Sequence, residues 1–339
     1  MDIKKTLELL CRQPVVSGFE PGNTGQIAKL MGEVADEVST DAFGNIIAVK
    51  RCGKADAPRL MIDAHIDRVG LIVSGHSGTF LAFKPVGGID TRILPACRVT
   101  VCAKQPFGGV ITSISPHLLD GDEQKNAFKM EDLYIDTGIE PEELKSLAPV
   151  GTTVMFDIEP FALGKNCFAA SALDDMAGLC AGMLALERMG DSGFDIYLCA
   201  SATEETGMAG AAVNANKIRP DCAIIVDVTH GKTTDAPADK TFELGSGVAI
   251  GLGPNMNKKI TDRLVSLAAE HKIDHTFEVM EGNTGTNAWA VQVCGLGVPC
   301  GVLSIPLRYM HTPTEVLCVD DVEKTARLIE LFAKTPLSS

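Results

Sequence analysis

Short apolar runs that stop at an acid or a histidine constrain this chain more than any other feature. Leu60-Met61-Ile62-Asp63-Ala64 stops at His65, and Cys222-Ala223-Ile224-Ile225-Val226 stops at Asp227. Ile196 to Ala202 runs into Glu204-Glu205, and Val298 to Leu303 precedes His311. Such short, continuous runs read as buried strands. Helical patterns separate them. Ile27, Leu30, Met31 and Val34 recur at three-and-four spacing, as do Val322, Ala326, Ile329 and Phe332, and further helices are predicted over 174–189 and 260–269. Strands alternating with helices imply an α/β fold with a central mixed sheet flanked by helices.

Between Leu71 and Phe161 the texture changes to short β-like pieces punctuated by Gly75, Gly78, Gly87-Gly88, Gly108-Gly109 and Gly151, with few long helical patterns. This predicts an inserted β-rich domain over 71–163, interrupting an α/β domain formed by 1–70 and 164–339.

Composition removes several function classes. The net charge of -14 and 5% aromatic content do not suit a nucleic-acid partner, whose phosphates require a basic surface. The acidic stretches at 120–123 and 140–143 read as solvated surface. The 11 cysteines form no Cys-x-x-Cys pair, so neither a disulfide framework nor a thiolate zinc knuckle is indicated. No apolar run approaches the roughly 20 residues that cross a bilayer, and the first ten residues lack the apolar centre of a signal peptide. A cytoplasmic protein without a membrane partner is the expectation.

The chemistry sits where the strands end. In open α/β sheets ligands bind beyond the carboxyl ends of the strands, and His65, Glu204-Glu205, Asp227 and His311 all fall there. His65 and Asp67, one residue apart at a strand end, should point to one side. Asp174-Asp175 opens a predicted helix, where acids serve equally as caps. Adjacent carboxylates such as Glu204-Glu205 repel unless a cation or a shared proton offsets them. Two histidines with three carboxylates and no cysteine suit hard or borderline divalent ions. Five such ligands suit two ions about 3.5 to 4 Å apart sharing one carboxylate. His117 and His230 read as structural or incidental.

Several short motifs, in order along the chain, resemble the glutamyl aminopeptidase or tetrahedral (TET) aminopeptidase family of dinuclear metallopeptidases. They are Ser17-Gly18-Phe19-Glu20, Asp41-Ala42-Phe43-Gly44-Asn45, Ala64-His65-Ile66-Asp67, Gly87-Gly88-Ile89-Asp90, Pro116-His117, Leu133-Tyr134-Ile135-Asp136, Ala172-Leu173-Asp174-Asp175, Glu204-Glu205-Thr206-Gly207 and Arg308-Tyr309-Met310-His311. The resemblance covers essentially the whole chain. It implies a metallopeptidase α/β fold with a PDZ-like insertion that mediates assembly, and an intracellular aminopeptidase acting on short peptides as a large homo-oligomer, often a dodecamer. It implies two divalent ions per subunit, zinc first, with cobalt or manganese as alternatives. The metal ligands would be His65, Asp174 as the bridge, Glu205, Asp227 and His311. Glu204 would be the general base acting on metal-activated water, and Asp67 would orient the His65 imidazole.

Three positions depart from the family. Arg68 follows His-x-Asp where an acid is usual, Met176 follows Asp-Asp where arginine is usual, and Asn287 stands in Gly285-Thr286-Asn287-Ala288 where the family has aspartate. Arg68 is expected either to reach a carboxylate near the site, such as Asp175, or a substrate group, or to reflect drift on a surface behind the site, the two readings weighing about equally. The alternatives to an aminopeptidase are a metal-binding relative serving as an oligomeric scaffold or regulator, and a related amidohydrolase or deacylase.

Overall fold

The computed structural model describes residues 1–121, 126–334 and 336. Positions 122 and 123 of the acidic stretch lie outside them. Four parallel strands form the centre of an 11-stranded sheet: Asp195–Ser201, Arg59–His65, Cys222–His230 and Cys300–Arg308, in that spatial order. Antiparallel strands extend it on both sides. Ile46–Lys50 and Glu37–Thr40 continue beyond Asp195–Ser201, while Glu315–Cys318, Cys167–Ala170 and Phe161–Leu163 continue beyond Cys300–Arg308. Val248–Leu252 branches from Cys300–Arg308 and pairs in parallel with His275–Val279. The fold is mixed α/β.

Side chains alternate across this sheet, so its two faces carry separate cores. Leu60, Ile62, Ala64, Ile224 and Val226 join a core with the helices Ile3–Cys11, Gly25–Gly32, Leu173–Arg188, Lys258–Glu270 and Val319–Ala333. Met61, Ala223 and Ile225 face the other way, toward the helices Ala209–Ile218 and Ala288–Val291. Asp63 and His65 continue the alternation of Met61, and Asp227 and Thr229 that of Ile225. Ile225 is in register with Asp63 and Ser201 with His65. His65 and Asp227, each two residues further on, therefore end at one level on one face.

A closed barrel of six antiparallel strands interrupts the sheet. Its order is Gly70–Ser77, Phe80–Val86, Tyr134–Asp136, Phe107–Thr112, Arg98–Val101 and Thr153–Phe156. It has its own core, including Leu71, Phe83, Val99, Ile135 and Phe156. A short helix, Pro141–Leu147, also packs there through Leu144.

Several element bounds differ from the sequence reading. The run ending at Val226 continues as strand through Asp227 to His230, because Thr229 and Val228 are buried as well. The strand expected over 298–303 starts at Cys300 and extends to Arg308. The helix expected from Asp174 becomes regular only at Met176, since Asp174 and Asp175 have non-helical dihedrals and a cis peptide between them. Among the described residues no helix is long and apolar enough to cross a membrane.

One close approach fixes the site's geometry. Gly210 packs against the turn after Asp195–Ser201 so tightly that a Cβ there would lie 2.3 Å from the Ala202 carbonyl and 2.4 Å from Asn45 Oδ1. Gly210→Ala should destabilise the fold by roughly 3 kcal/mol, as overpacking against rigid neighbours does. Urea denaturation checks this; an unchanged midpoint would show that the turn yields freely.

Candidate metal centre

A cavity of about 470 Å³ opens at the carboxyl ends of the central strands, lined by His65, Asp174, Glu204, Glu205, Asp227 and His311 among others. Six of the seven residues singled out from the sequence thus share one cavity. The seventh, Asp67, lies fully buried beneath it.

Asp174 is the hub. Its Oδ1 lies 2.9 Å from His65 Nε2 and its Oδ2 3.4 Å from His311 Nε2. Glu205 Oε2 lies 3.2 Å from the same His311 nitrogen. Each histidine turns its other nitrogen to a main-chain carbonyl: His65 Nδ1 to Asp67 O and His311 Nδ1 to Gly88 O, both at 2.9 Å. A carbonyl only accepts, so Nδ1 carries hydrogen in both rings and Nε2 is the atom offered to the centre. That arrangement is typical of histidines prepared for a metal.

Two donor groups have ligand atoms all within 4.8 Å of one another: His65, Asp174 and Glu205, and His65, Asp175 and Asp227. Asp175, read from the sequence as equally a cap, caps the helix and leaves its other oxygen toward the second donor group. Its Oδ1 accepts the Gly178 N–H at 2.9 Å, while its Oδ2 is buried without a partner.

The electrostatics call for positive charge. Burial, reinforced by neighbouring carboxylates, pushes Asp175 and Asp227 well above the usual carboxylate range. Burial likewise raises Glu204 to about 7, with Glu205, Asp174 and Asp67 adding to the shift. Burial alone would lower the His311 imidazole, but Asp174 and Glu205 hold it up at about 11. Nitrogen and oxygen donors around a pocket of crowded acids fit divalent cations of hard or borderline character.

Buried side chains, Asp67 and others that residue-level reading left unassigned, hold the main chain of this site. Ala202 N donates to Asn45 Oδ1 at 2.8 Å and Thr203 N to Glu20 Oε1 at 2.9 Å. Glu204 N and Glu205 N donate to the two oxygens of Asp67, at 2.9 and 3.1 Å. The Asp67 carboxylate therefore faces the Glu204-Glu205 turn, and its main-chain oxygen meets His65 more closely than does Oδ1, 3.7 Å from the ring. Glu315, also buried, accepts Asp174 N at 3.2 Å and His311 N at 2.9 Å. A lone acid opening an apolar strand four residues after His311 was the available signal for Glu315.

Two of the three departures have polar partners, and the third, Met176, packs into the core. Arg68 is buried and donates to the Cys11 carbonyl and to Ser171 Oγ; among the described residues it makes no ion pair, so it does not reach Asp175. The nearby Glu315 carboxylate offsets its charge at longer range. Asn287 Nδ2 donates to Asp63 Oδ2 at 2.8 Å, and Ser201 Oγ donates to the other Asp63 oxygen. His230 lines the cavity despite its expected incidental role.

Two outcomes follow from these contacts. Glu315→Gln keeps only one accepting oxygen and turns an amide donor toward a backbone N–H, whereas Glu315→Asp keeps two acceptors. Calorimetric titration with zinc should show the Gln variant binding roughly 10 to 100-fold more weakly and the Asp variant less impaired; equal affinities would refute the role of Glu315. Asn287→Asp would set a second buried carboxylate against Asp63 and cost about 2 kcal/mol at neutral pH. The paired acids' folded pKa would be raised, so the variant's deficit in urea should shrink as pH falls and grow as pH rises. A pH-independent deficit would contradict this.

The M42 glutamyl aminopeptidase family matches residues 44–328. A lysyl aminopeptidase of Pyrococcus furiosus is 33% identical, the alignment covering 96% of this chain and 94% of that one. An aminopeptidase structure from Desulfurococcus kamchatkensis superimposes with a TM-score of 0.91 at 30% identity, covering 98% of this chain and 95% of the other. The TET1 peptidase of Pyrococcus horikoshii, described as able to assemble into a tetrahedron or a large octahedral shell, gives 0.85 at 27% identity over 99% and 100%.

Proposed function

The chain belongs to the M42 glutamyl aminopeptidase family of metal-dependent peptidases, and from that premise we propose that it releases N-terminal residues from short peptides at a centre for two divalent cations. His65, Asp174 and Asp227 would hold one cation and Asp174, Glu205 and His311 the other, with Asp174 shared. The single observation that carries this reading is the Asp174 carboxylate, with one oxygen toward His65 and the other toward His311.

Cations bound there supply Lewis acidity, which polarises the scissile carbonyl and acidifies water. The chain's own groups do the rest. Glu204, next in sequence to the ligand Glu205 and shifted by burial to about 7, takes a proton from the attacking water at neutral pH and returns it to the leaving amine. Asp67 fixes the pair by accepting both their N–H groups, so the two carboxylates keep separate directions. Its main-chain oxygen holds the His65 ring. The acid-rich cavity wall favours a protonated α-amino group, which an N-blocked peptide lacks.

Zinc is the proposed ion, with cobalt or manganese as substitutes, and the cytoplasm the proposed location. Residues 1–70 and 164–339 would form the catalytic domain. Residues 71–163 would form an insertion, PDZ-like in the family's terms, that joins subunits into a homo-oligomer, possible dodecamers included. The relatives' names point to both lysyl and glutamyl preference, so family membership alone does not choose the side chain cleaved.

The test pairs activity with elemental analysis. Metal-loaded protein should cleave free peptides and leave N-blocked ones intact. Glu204→Gln should lower kcat by about 10²- to 10⁴-fold with two ions per subunit retained, whereas Asp227→Ala should lose an ion. Cleavage of blocked peptides, or full activity in Glu204→Gln, would overturn the assignment.

A further inference from the structure

The wall of the cavity carries one acid that the reaction does not use. Glu278, on the strand His275–Val279, lines the cavity and belongs to neither group of donors close enough to share a cation. Thr229 Oγ1 donates to its Oε1 at 2.5 Å, while its Oε2 has no hydrogen-bond partner. A buried carboxylate oxygen without a partner is uncommon in native folds and calls for a ligand, ion or water that completes it. Thr229 lies two residues beyond Asp227 on the same strand face, about 7 Å along it. The Glu278 carboxylate therefore stands roughly one extended side chain away from the centre.

The surroundings select the charge of that side chain. No lysine or arginine lines the cavity; its bases are His230 and the His65 and His311 rings, which face Asp174 and Glu205 and not Glu278. Met280, two residues along the same strand, and Met208 and Met310 across the cavity present flexible apolar surface. A long methylene stem ending in a cation matches this combination; a short acid would meet repulsion, and an apolar residue would leave the carboxylate oxygen unpaired. We infer that Glu278 is a specificity-determining residue that accepts the cationic end of an N-terminal lysine or arginine. This inference deepens the aminopeptidase reading and rests on it.

The experiment compares kcat/KM for 4-nitroanilides of lysine, arginine, norleucine, glutamine and glutamate on the metal-loaded full chain. Norleucine shares the stem of lysine without its charge. The lysine to norleucine ratio should be about 10-fold or more for the parent, should fall at least several-fold in Glu278→Gln, and should fall further in Glu278→Lys with a gain for glutamate. Elemental analysis of both variants should give the parent's metal content, so that a lost ratio cannot come from a lost cation. If the parent cleaves the anilides but prefers norleucine or glutamate, or if the Gln variant keeps the parent's ratio, the role of Glu278 is overturned and the aminopeptidase assignment stands. Inertness toward every anilide would overturn the aminopeptidase assignment and this inference with it.

Discussion

Six main-chain N–H groups carry the geometry of this centre, and four buried side chains accept them. Asn45 takes Ala202, Glu20 takes Thr203, Asp67 takes Glu204 and Glu205, and Glu315 takes Asp174 and His311. A buried N–H without a partner is costly, so each contact fixes a stretch of backbone more firmly than a surface bond would. Three of these acceptors are carboxylates outside both candidate donor groups. They hold the backbone that carries the cavity-lining Asp174, Glu204, Glu205 and His311, and each can serve two donors because it presents two accepting oxygens.

That arrangement places still more negative charge beside a cluster already rich in it. Burial and mutual repulsion raise Glu315 to about 8 and Glu204 to about 7, and push Asp175 and Asp227 higher than an isolated acid would go. The cluster must take up protons or cations, and the Nε2 atoms of His65 and His311 face Asp174 and Glu205 within it. Metal demand is thus a property of the whole network and not of the ligands alone. Arg68 supplies a fixed cation to the same region, close enough to Glu315 to matter and too far for an ion pair.

The parallel core of the sheet was legible because its strands are continuous apolar runs, and their carboxyl ends mark the cavity. Two of the outer strands were not. Val248–Leu252 reads like any apolar fragment, and His275–Val279 mixes exposed and half-buried residues because it pairs on one side only. Glu278 was invisible for that reason: an acid in a strand without a clear pattern carries no signal until Thr229, 49 residues earlier, is seen to face it. The acceptors Glu20 and Asn45 were visible only as members of motifs, whereas Asp67 was singled out beside His65 for a different role. Residue types show that a position matters, while the role comes from a partner remote in the chain.

The departure at Asn287 shows how far such partnerships reach. On its own, an amide where relatives carry an acid reads as a lost charge and a doubtful site. In the fold it faces Asp63 across 224 residues of sequence, and Asp63 is itself an acid inside an apolar strand, raised by burial to about 6. An acid at both positions would leave two carboxylates in contact with one hydroxyl, that of Ser201, to share between them. The amide at 287 and the acid at 63 therefore form one unit, which ties the Thr284–Thr286 edge of the cavity to the strand that carries His65. A charge missing from a motif is here a donor supplied to a carboxylate elsewhere, so the amide at 287 has its meaning only beside Asp63.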